Sequence, residues 1–295
     1  MTIERPATTA DAIAQASGTL RAAGIQDGRA EAEFFLTHLL GCKRHELYLG
    51  AGRVLNAEER GAFADFIARR LRREPAQYIA GVTEFHGLEF KAAPEALIPR
   101  PETELLVNEA LSSGLQRDAV IIDLCTGSGC VAVTIAVKLP YVTALATDIS
   151  SGTLKVAEEN AKRHGIAHRV RFIEGDLFAP LAGLALEGQA SLILSNPPYV
   201  AEAEFEGLQP EVRDYEPRSA LVAGPDGLEF YRRIIKDAPA FLTPGGWLMV
   251  EIGYGQAGRA ADLFNADGRY NKVEVKKDLS GIERVVKARL RQPGR

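Results

Sequence analysis

The stretch of this 295-residue chain with the clearest chemistry is Ser195-Asn196-Pro197-Pro198-Tyr199. Two consecutive prolines remove two backbone donors and stiffen the turn. The side-chain oxygen of Asn196 and the backbone oxygen of Pro197 then stand as acceptors. Together they suit the two N–H groups of one planar NH2, either a carboxamide or an exocyclic base amine. A nitrogen held in this way presents its lone pair in one direction, and Tyr199 adds a flat face beside the planar group. Asn196, Pro197 and Tyr199 are therefore the candidate catalytic residues, with Pro198 completing the substrate contact. The plain alternative is a rigid proline turn that closes a strand.

A second stretch, Asp123-Leu124-Cys125-Thr126-Gly127-Ser128-Gly129, supplies the other half of the chemistry. Gly127 and Gly129 allow a tight turn and a close approach of backbone to ligand. A dinucleotide fingerprint would need a third glycine, but Val131-Ala132 follows Cys130. A carboxylate at Asp123 would repel a pyrophosphate, whereas it suits an amino-acid ammonium. Asp148 closes the next strand, where an acid can accept from both ribose hydroxyls; the alternative is an acid capping the helix from Ser151. Asp176 follows the third strand, placed to take an adenine amine with Leu177 against the ring, or to act as a turn acid. Glycines plus three acids at successive strand ends point to S-adenosylmethionine. Its sulfonium methyl is already activated, so placement carries much of the rate. The charge developing on the accepting nitrogen would be stabilised by the two oxygen dipoles. The candidate cofactor set is Cys125, Thr126, Gly127, Ser128, Gly129, Asp148, Asp176, Leu177 and Asn196.

The elements that must position these residues fall into two patterns. Residues 1–75 read as helices, with apolar positions recurring through Ala12, Ile13, Ala16 and Leu20, then Arg29–Leu40 and Ala57–Leu71 after an N-cap at Asn56. Residues 76–101 carry glycines between short apolar runs and predict a β-hairpin linker. Residues 102–295 alternate strand and helix. Strands are predicted at Ala119–Leu124, Val142–Thr147, Val170–Ile173, Leu192–Ser195 and Trp247–Ile252. Helices are predicted at Glu102–Leu111, Cys130–Lys138, Ser151–His164 and Leu228–Phe241. Two more strands, Lys272–Lys276 and Arg284–Ala288, give an antiparallel ending. This alternation implies an α/β fold with a mostly parallel sheet covered on both faces.

Composition sets the outer bounds. At 46% hydrophobic and 25% charged, the chain can bury a sizeable core. A net charge of −4 argues against a protein that grips long nucleic acid through phosphates. Cys42, Cys125 and Cys130 are odd in number and not closely paired, so no disulfide framework is expected, and no His/Cys cluster suggests a metal. The N-terminus lacks the apolar core of a secretory signal, and no run is long enough to span a membrane. A cytoplasmic monomer is the expectation.

The motifs resemble the protein-(glutamine) methyltransferases that modify the Gly-Gly-Gln loop of peptide chain release factors. The resemblance covers nearly the whole chain. It rests on Glu74-Pro75-Ala76-Gln77-Tyr78-Ile79-Ala80-Gly81, on Glu84-Phe85-His86-Gly87, on Leu97-Ile98-Pro99-Arg100-Pro101-Glu102-Thr103-Glu104, and on the glycine turn and Asn-Pro-Pro-Tyr. It continues in Glu211-Val212-Arg213-Asp214-Tyr215-Glu216-Pro217 and Gly281-Ile282-Glu283-Arg284-Val285. Asn-Pro-Pro-Tyr alone is shared with nucleic-acid amine methylases; the segments around Pro101-Glu102-Thr103-Glu104 and Glu216-Pro217 are much more specific. The resemblance implies a Rossmann-like, seven-stranded class I methyltransferase domain. It also implies a small N-terminal helical substrate-recognition domain, a hairpin linker, and release factors as protein substrates without direct contact to nucleic acid. S-adenosylhomocysteine would be the product.

Cys125 departs from the glycine of many members; an ordinary backbone conformation is expected there, and no nucleophile is needed. Phe85 is expected either to wall the glutamine pocket or to fill the hairpin core. Arg100 is expected at the substrate or cofactor, or in a loop salt bridge to Glu102 or Glu104. The run Arg69, Arg70, Arg72, Arg73 reads as a solvated face or a partner contact. Glutamine methylation of a ribosomal protein, amine methylation of nucleic acid, and a non-catalytic binding module are the rival readings.

Overall fold

The computed structural model describes residues 8–292. The reading of the N-terminus as lacking a secretory segment lies partly outside them. In chain order the elements begin with α1 (Thr9–Ala22), α2 (Gly28–Leu40), α3 (Arg44–Leu49), α4 (Ala57–Leu71) and α5 (Ala76–Ala80). The hairpin β1 (Val82–Phe85) and β2 (Leu88–Lys91) follows, then α6 (Glu104–Leu111), β3 (Val120–Leu124), α7 (Cys130–Lys138), β4 (Thr143–Asp148), α8 (Ser151–Arg163) and β5 (Val170–Glu174). The chain ends through β6 (Ala190–Ser195), α9 (Pro210–Arg213), α10 (Glu229–Asp237), β7 (Leu242–Glu251), α11 (Ala257–Asp267), β8 (Tyr270–Lys277) and β9 (Glu283–Leu290). Two compact units emerge: residues 1–81 with 210–215, and residues 82–209 with 216–295.

The first unit is helical. Capping boxes start α1 at Thr8 and Asp11 and α4 at Asn56 and Glu59, satisfying backbone donors that the helix leaves free. Leu20, Phe35, Leu36 and Leu55 fill its core, and Phe35 packs on Phe66 at 5.5 Å between ring centres. The arginine run is not the solvated face that its charge suggested. Arg70 is buried and its guanidinium donates to Glu31 at 2.7 Å and Glu211 at 2.9 Å. Arg73 shares Glu211, and Arg69 pairs with Glu74. Residues 76–80, expected within the hairpin linker, form helix α5 of this unit instead; neither α5 nor α3 was legible, because five or six residues give too little periodicity.

The second unit is an α/β layer structure around a seven-stranded sheet in the order β5-β4-β3-β6-β7-β9-β8. β3 to β7 run parallel, and β8 and β9 pair antiparallel, with β9 antiparallel against β7. Successive strand residues alternate between two cores. Ile121, Leu192, Leu194 and Met249 face the layer that holds α6, α7 and the hairpin. Ile122, Ile193, Leu248 and Val250 face the layer of α10 and α11. Each such fully buried side chain is worth roughly 1.5–3 kcal/mol. The chain runs outward from β3 through β4 to β5, then returns to place β6 on the other side of β3. The carboxyl ends of β3 and β6 therefore flank a topological switch point, where open α/β sheets hold ligands. Helix α11 was not anticipated, since Gly255 and Gly258 interrupt the pattern at its start.

Candidate active site

A cavity of about 360 Å³ opens at that switch point. Cys125 to Ser128 line it from the turn after β3, Asp148 from the end of β4, Asp176 and Leu177 from the loop after β5, and Asn196 and Pro198 from the turn after β6. Arg100 and Thr103 close it from the segment before α6. Gly129, Pro197, Tyr199 and Phe85 do not line it. Gly129 has φ +79° and starts α7; a Cβ there would meet Ala157 Cβ at 3.0 Å, so the position packs helix on helix. Phe85 is 1% exposed and meets Phe90 edge-on at 6.0 Å inside the sheet core, which corrects its expected place at the substrate. An apolar ring on the inward face of a two-stranded ribbon gains more from burial than from lining a wet cleft.

The turn after β3 is held rigidly. Thr126 N–H donates to Thr147 O at 3.0 Å. The Thr126 hydroxyl donates to Asp123 Oδ2 at 2.6 Å, and Ala132 N–H reaches the same oxygen at 3.3 Å. Burial pushes the Asp123 carboxyl up to about 7. Asn160, fully buried on α8, donates to Ser128 O at 2.9 Å and accepts from Lys91 N–H at 2.7 Å. One amide thus ties the hairpin to the turn. Sequence reading missed it, although a lone Asn on the apolar face of a helix was the available signal.

Cys125 corrects an expectation. Its φ is +56°, the left-handed region, and not an ordinary conformation. The turn imposes that geometry and the thiol accepts it, with burial raising its pKa. Leu177 shares the feature at φ +49°, and its carbonyl accepts from the Thr147 hydroxyl at 3.0 Å.

The acids are arranged as follows. Asp148 accepts from Gly127 N–H and from Ser150 N–H, each at 3.0 Å, and burial raises its pKa. Ser150, not Asp148, caps α8. Asp176 pairs with Arg233. Ser128 Oγ is buried without a hydrogen-bond partner among the described residues. Carboxylates at Asp123, Asp148 and Asp176, an orphaned hydroxyl and the apolar Leu177 form a donor and acceptor set that fits S-adenosylmethionine: an ammonium, a sulfonium, a ribose and a flat base.

Around Asn196, the side-chain Nδ2 donates to Thr103 Oγ1 at 3.1 Å. Among the described residues, neither Asn196 Oδ1 nor the Pro197 carbonyl accepts a hydrogen bond. Tyr199 O accepts from Gln256 Nε2 at 2.8 Å, and burial pushes the Tyr199 phenol up to about 12. Gly227, with φ +72°, lies so close that a Cβ would sit 2.5 Å from Tyr199 O. Arg100 pairs with Glu216 at 2.6 Å, and not with Glu102 or Glu104 as expected. Glu216 Oε2 also accepts from Ile98 N–H at 3.3 Å. The segments around Arg100 and Glu216 are thereby joined. Glu102 faces Arg284 at 3.5 Å, and Glu104 accepts from His86 N–H at 2.7 Å.

Residues 11–81 match the family described as PrmC N-terminal domain, and residues 101–209 the methyltransferase small domain. A release factor glutamine methyltransferase of Geobacter sulfurreducens is 45% identical over 273 residues, 92% of this chain and 93% of that one. Its counterpart in Nitratidesulfovibrio vulgaris is 42% identical over 290 residues, 96% and 97% of the two chains. A methyltransferase structure from Pyrococcus furiosus shares the fold at a TM-score of 0.51, with 19% identity over 77% of this chain and 98% of that one.

Proposed function

This chain belongs to the release factor glutamine methyltransferase family, and from that premise we propose that it methylates the side-chain amide nitrogen of the glutamine in the Gly-Gly-Gln motif of peptide chain release factors. When bound, S-adenosylmethionine supplies an activated methyl group on sulfur and leaves as S-adenosylhomocysteine. The chain's own residues do the rest by placement. Asp123 receives the cofactor ammonium, Asp148 the ribose, and Asp176 with Leu177 the adenine. Cys125 to Gly129 shape the turn beneath them.

The observation that carries the reading is the state of Asn196. Its amide nitrogen is already committed to Thr103, so its oxygen is the atom left for a substrate N–H. Asn196 Oδ1 and the Pro197 carbonyl hold the glutamine NH2 by both hydrogens and stabilise the positive charge that grows on nitrogen. Pro198 and Tyr199 flank the amide plane. The unit of residues 1–81 serves substrate recognition, residues 82–101 lead into the catalytic part, and the enzyme works as a cytoplasmic monomer on protein and not on nucleic acid. The net charge of −4 supports the last point, and no helix among the described residues is long and apolar enough to cross a membrane.

The test uses labelled S-adenosylmethionine and a purified release factor, with the methylated residue mapped by mass spectrometry. Label on the glutamine is the expected result. Asn196→Ala should abolish transfer even at saturating S-adenosylmethionine, since placement of the amide is lost. Label in RNA, in a ribosomal protein, or undiminished turnover by the variant would refute the reading.

A further inference from the structure

The carboxyl edge of the sheet holds one acid that the proposed chemistry does not use. Glu251 is the last residue of β7 and only 2% exposed. The parallel register pairs Ser195 of β6 with Val250 of β7. The residues that follow are Asn196, just past the end of β6, and Glu251, the last of β7, so the acid and the asparagine leave the same sheet edge side by side. Thr103, 1% exposed, lies within reach of both. Its oxygen accepts from Asn196 Nδ2 at 3.1 Å, and its hydroxyl interacts with the Glu251 carboxyl. Glu251 Oε2 is buried with no partner among the described residues. An orphaned buried acceptor costs stability, and an acid retained at that cost calls for a role.

We propose that Glu251 and Thr103 are positioning residues that set the orientation of the Asn196 amide through a one-way hydrogen-bond chain. The proposal rests on the assignment of Asn196 as the amide-binding residue. The direction follows from donor counting. An ionised carboxylate only accepts, so the Thr103 hydroxyl proton goes to Glu251. The Thr103 oxygen is left as an acceptor and draws in the Asn196 NH2. Asn196 Oδ1 then faces outward, the orientation that receives a substrate N–H. A protonated or amidated Glu251 can donate to the Thr103 oxygen, which frees the hydroxyl to donate to Asn196 Oδ1 and turns the amide over. An NH2 would then meet an NH2, and the substrate would be repelled.

Burial pushes the Glu251 carboxyl up to about 7. The groups around it are Glu102 and Arg100 from the segment before α6, Arg284 on β9, Tyr199 after β6, Tyr231 on α10 and Cys130 on α7. Because the carboxylate form sets the productive orientation, turnover should fall as pH drops through this value.

The experiment has an activity arm and an activity-independent arm. In the wild-type full chain, the Asn196 side-chain NH2 resonances are followed by 15N NMR across pH, assigned by their loss in Asn196→Ser. They should shift with a midpoint near 7 in the wild type and in Thr103→Ser, and stay flat in Thr103→Val and Glu251→Gln. With S-adenosylmethionine and a release factor, Thr103→Val should lose about tenfold or more in kcat, with cofactor affinity kept and the acidic limb of the pH profile gone. Thr103→Ser should recover most of that loss. A flat wild-type resonance, or a Thr103→Val enzyme with wild-type kcat and pH profile, overturns the proposal. Should the wild type transfer no methyl group at all, the functional reading fails while the NMR titration still decides the hydrogen-bond chain.

Discussion

Cys125 sits at φ +56° in the turn beneath the cofactor site. A side chain in that region costs about 1–2 kcal/mol relative to glycine, part of which glycine gives back as freedom in the unfolded chain. Cys125→Gly should therefore raise stability by roughly 0.5–1 kcal/mol in urea unfolding, and the β-branched Cys125→Val should lower it. A destabilised glycine variant would show that the thiol contributes packing that outweighs the backbone. Glu251 gives a pH test. Its folded pKa of about 7 lies above that of a solvated glutamate. At low pH both folded and unfolded states hold the proton, and there is no penalty. As pH rises the unfolded chain ionises first, so stability is lost up to about pH 7 and is level beyond. Glu251→Gln should be the more stable protein at about pH 8, with the gap closed at about pH 4, as read by thermal unfolding. Asn196, Asp148 and the glycine turn were legible in the sequence because each lies within a local motif whose geometry follows from its own residue types. The partners of Arg100 and Glu251 were not. They depend on strand register and on segments more than a hundred residues apart in the case of Arg100 and Glu216.

At the scale of elements, Asn160 on α8 is the joint between the hairpin and the glycine turn. Asn160→Ala would leave Lys91 N–H and Ser128 O without this partner. Burial of unmade hydrogen bonds of this kind costs about 1–3 kcal/mol. The expected outcome is a loss of about 2 kcal/mol in unfolding, with cofactor affinity weakened by about tenfold in calorimetry as the turn loosens. A variant that loses stability but binds cofactor normally would mean that α7 alone holds the turn. The strands and helices of the α/β part were readable because burial on both faces makes long apolar runs between turn signals. Helices α3, α5, α9 and α11 escaped, the first three too short and the last broken by glycine at its start. Phe85 shows the limit from the other side: its type fits a pocket wall, but only the packing of the hairpin decides which way it faces.

At the scale of the whole molecule, Arg70 binds Glu31 of the N-terminal helices to Glu211, a residue that arrives from far along the chain. Arg70→Met should cost about 3 kcal/mol, because the half-buried carboxylates lose the buried guanidinium that is their common counter-charge. Hydrogen exchange would show the loss concentrated in α2, α4 and residues 210–215, and an even loss across the sheet would refute that location. The helical unit thus consists of two stretches of sequence, with covalent junctions at 81–82, 209–210 and 215–216. It follows that no single splice separates recombinable modules here. Grafting the first 81 residues of a relative onto this catalytic half would import a donor for Glu211 that evolved with a different loop. A working chimaera must carry both stretches from the same parent.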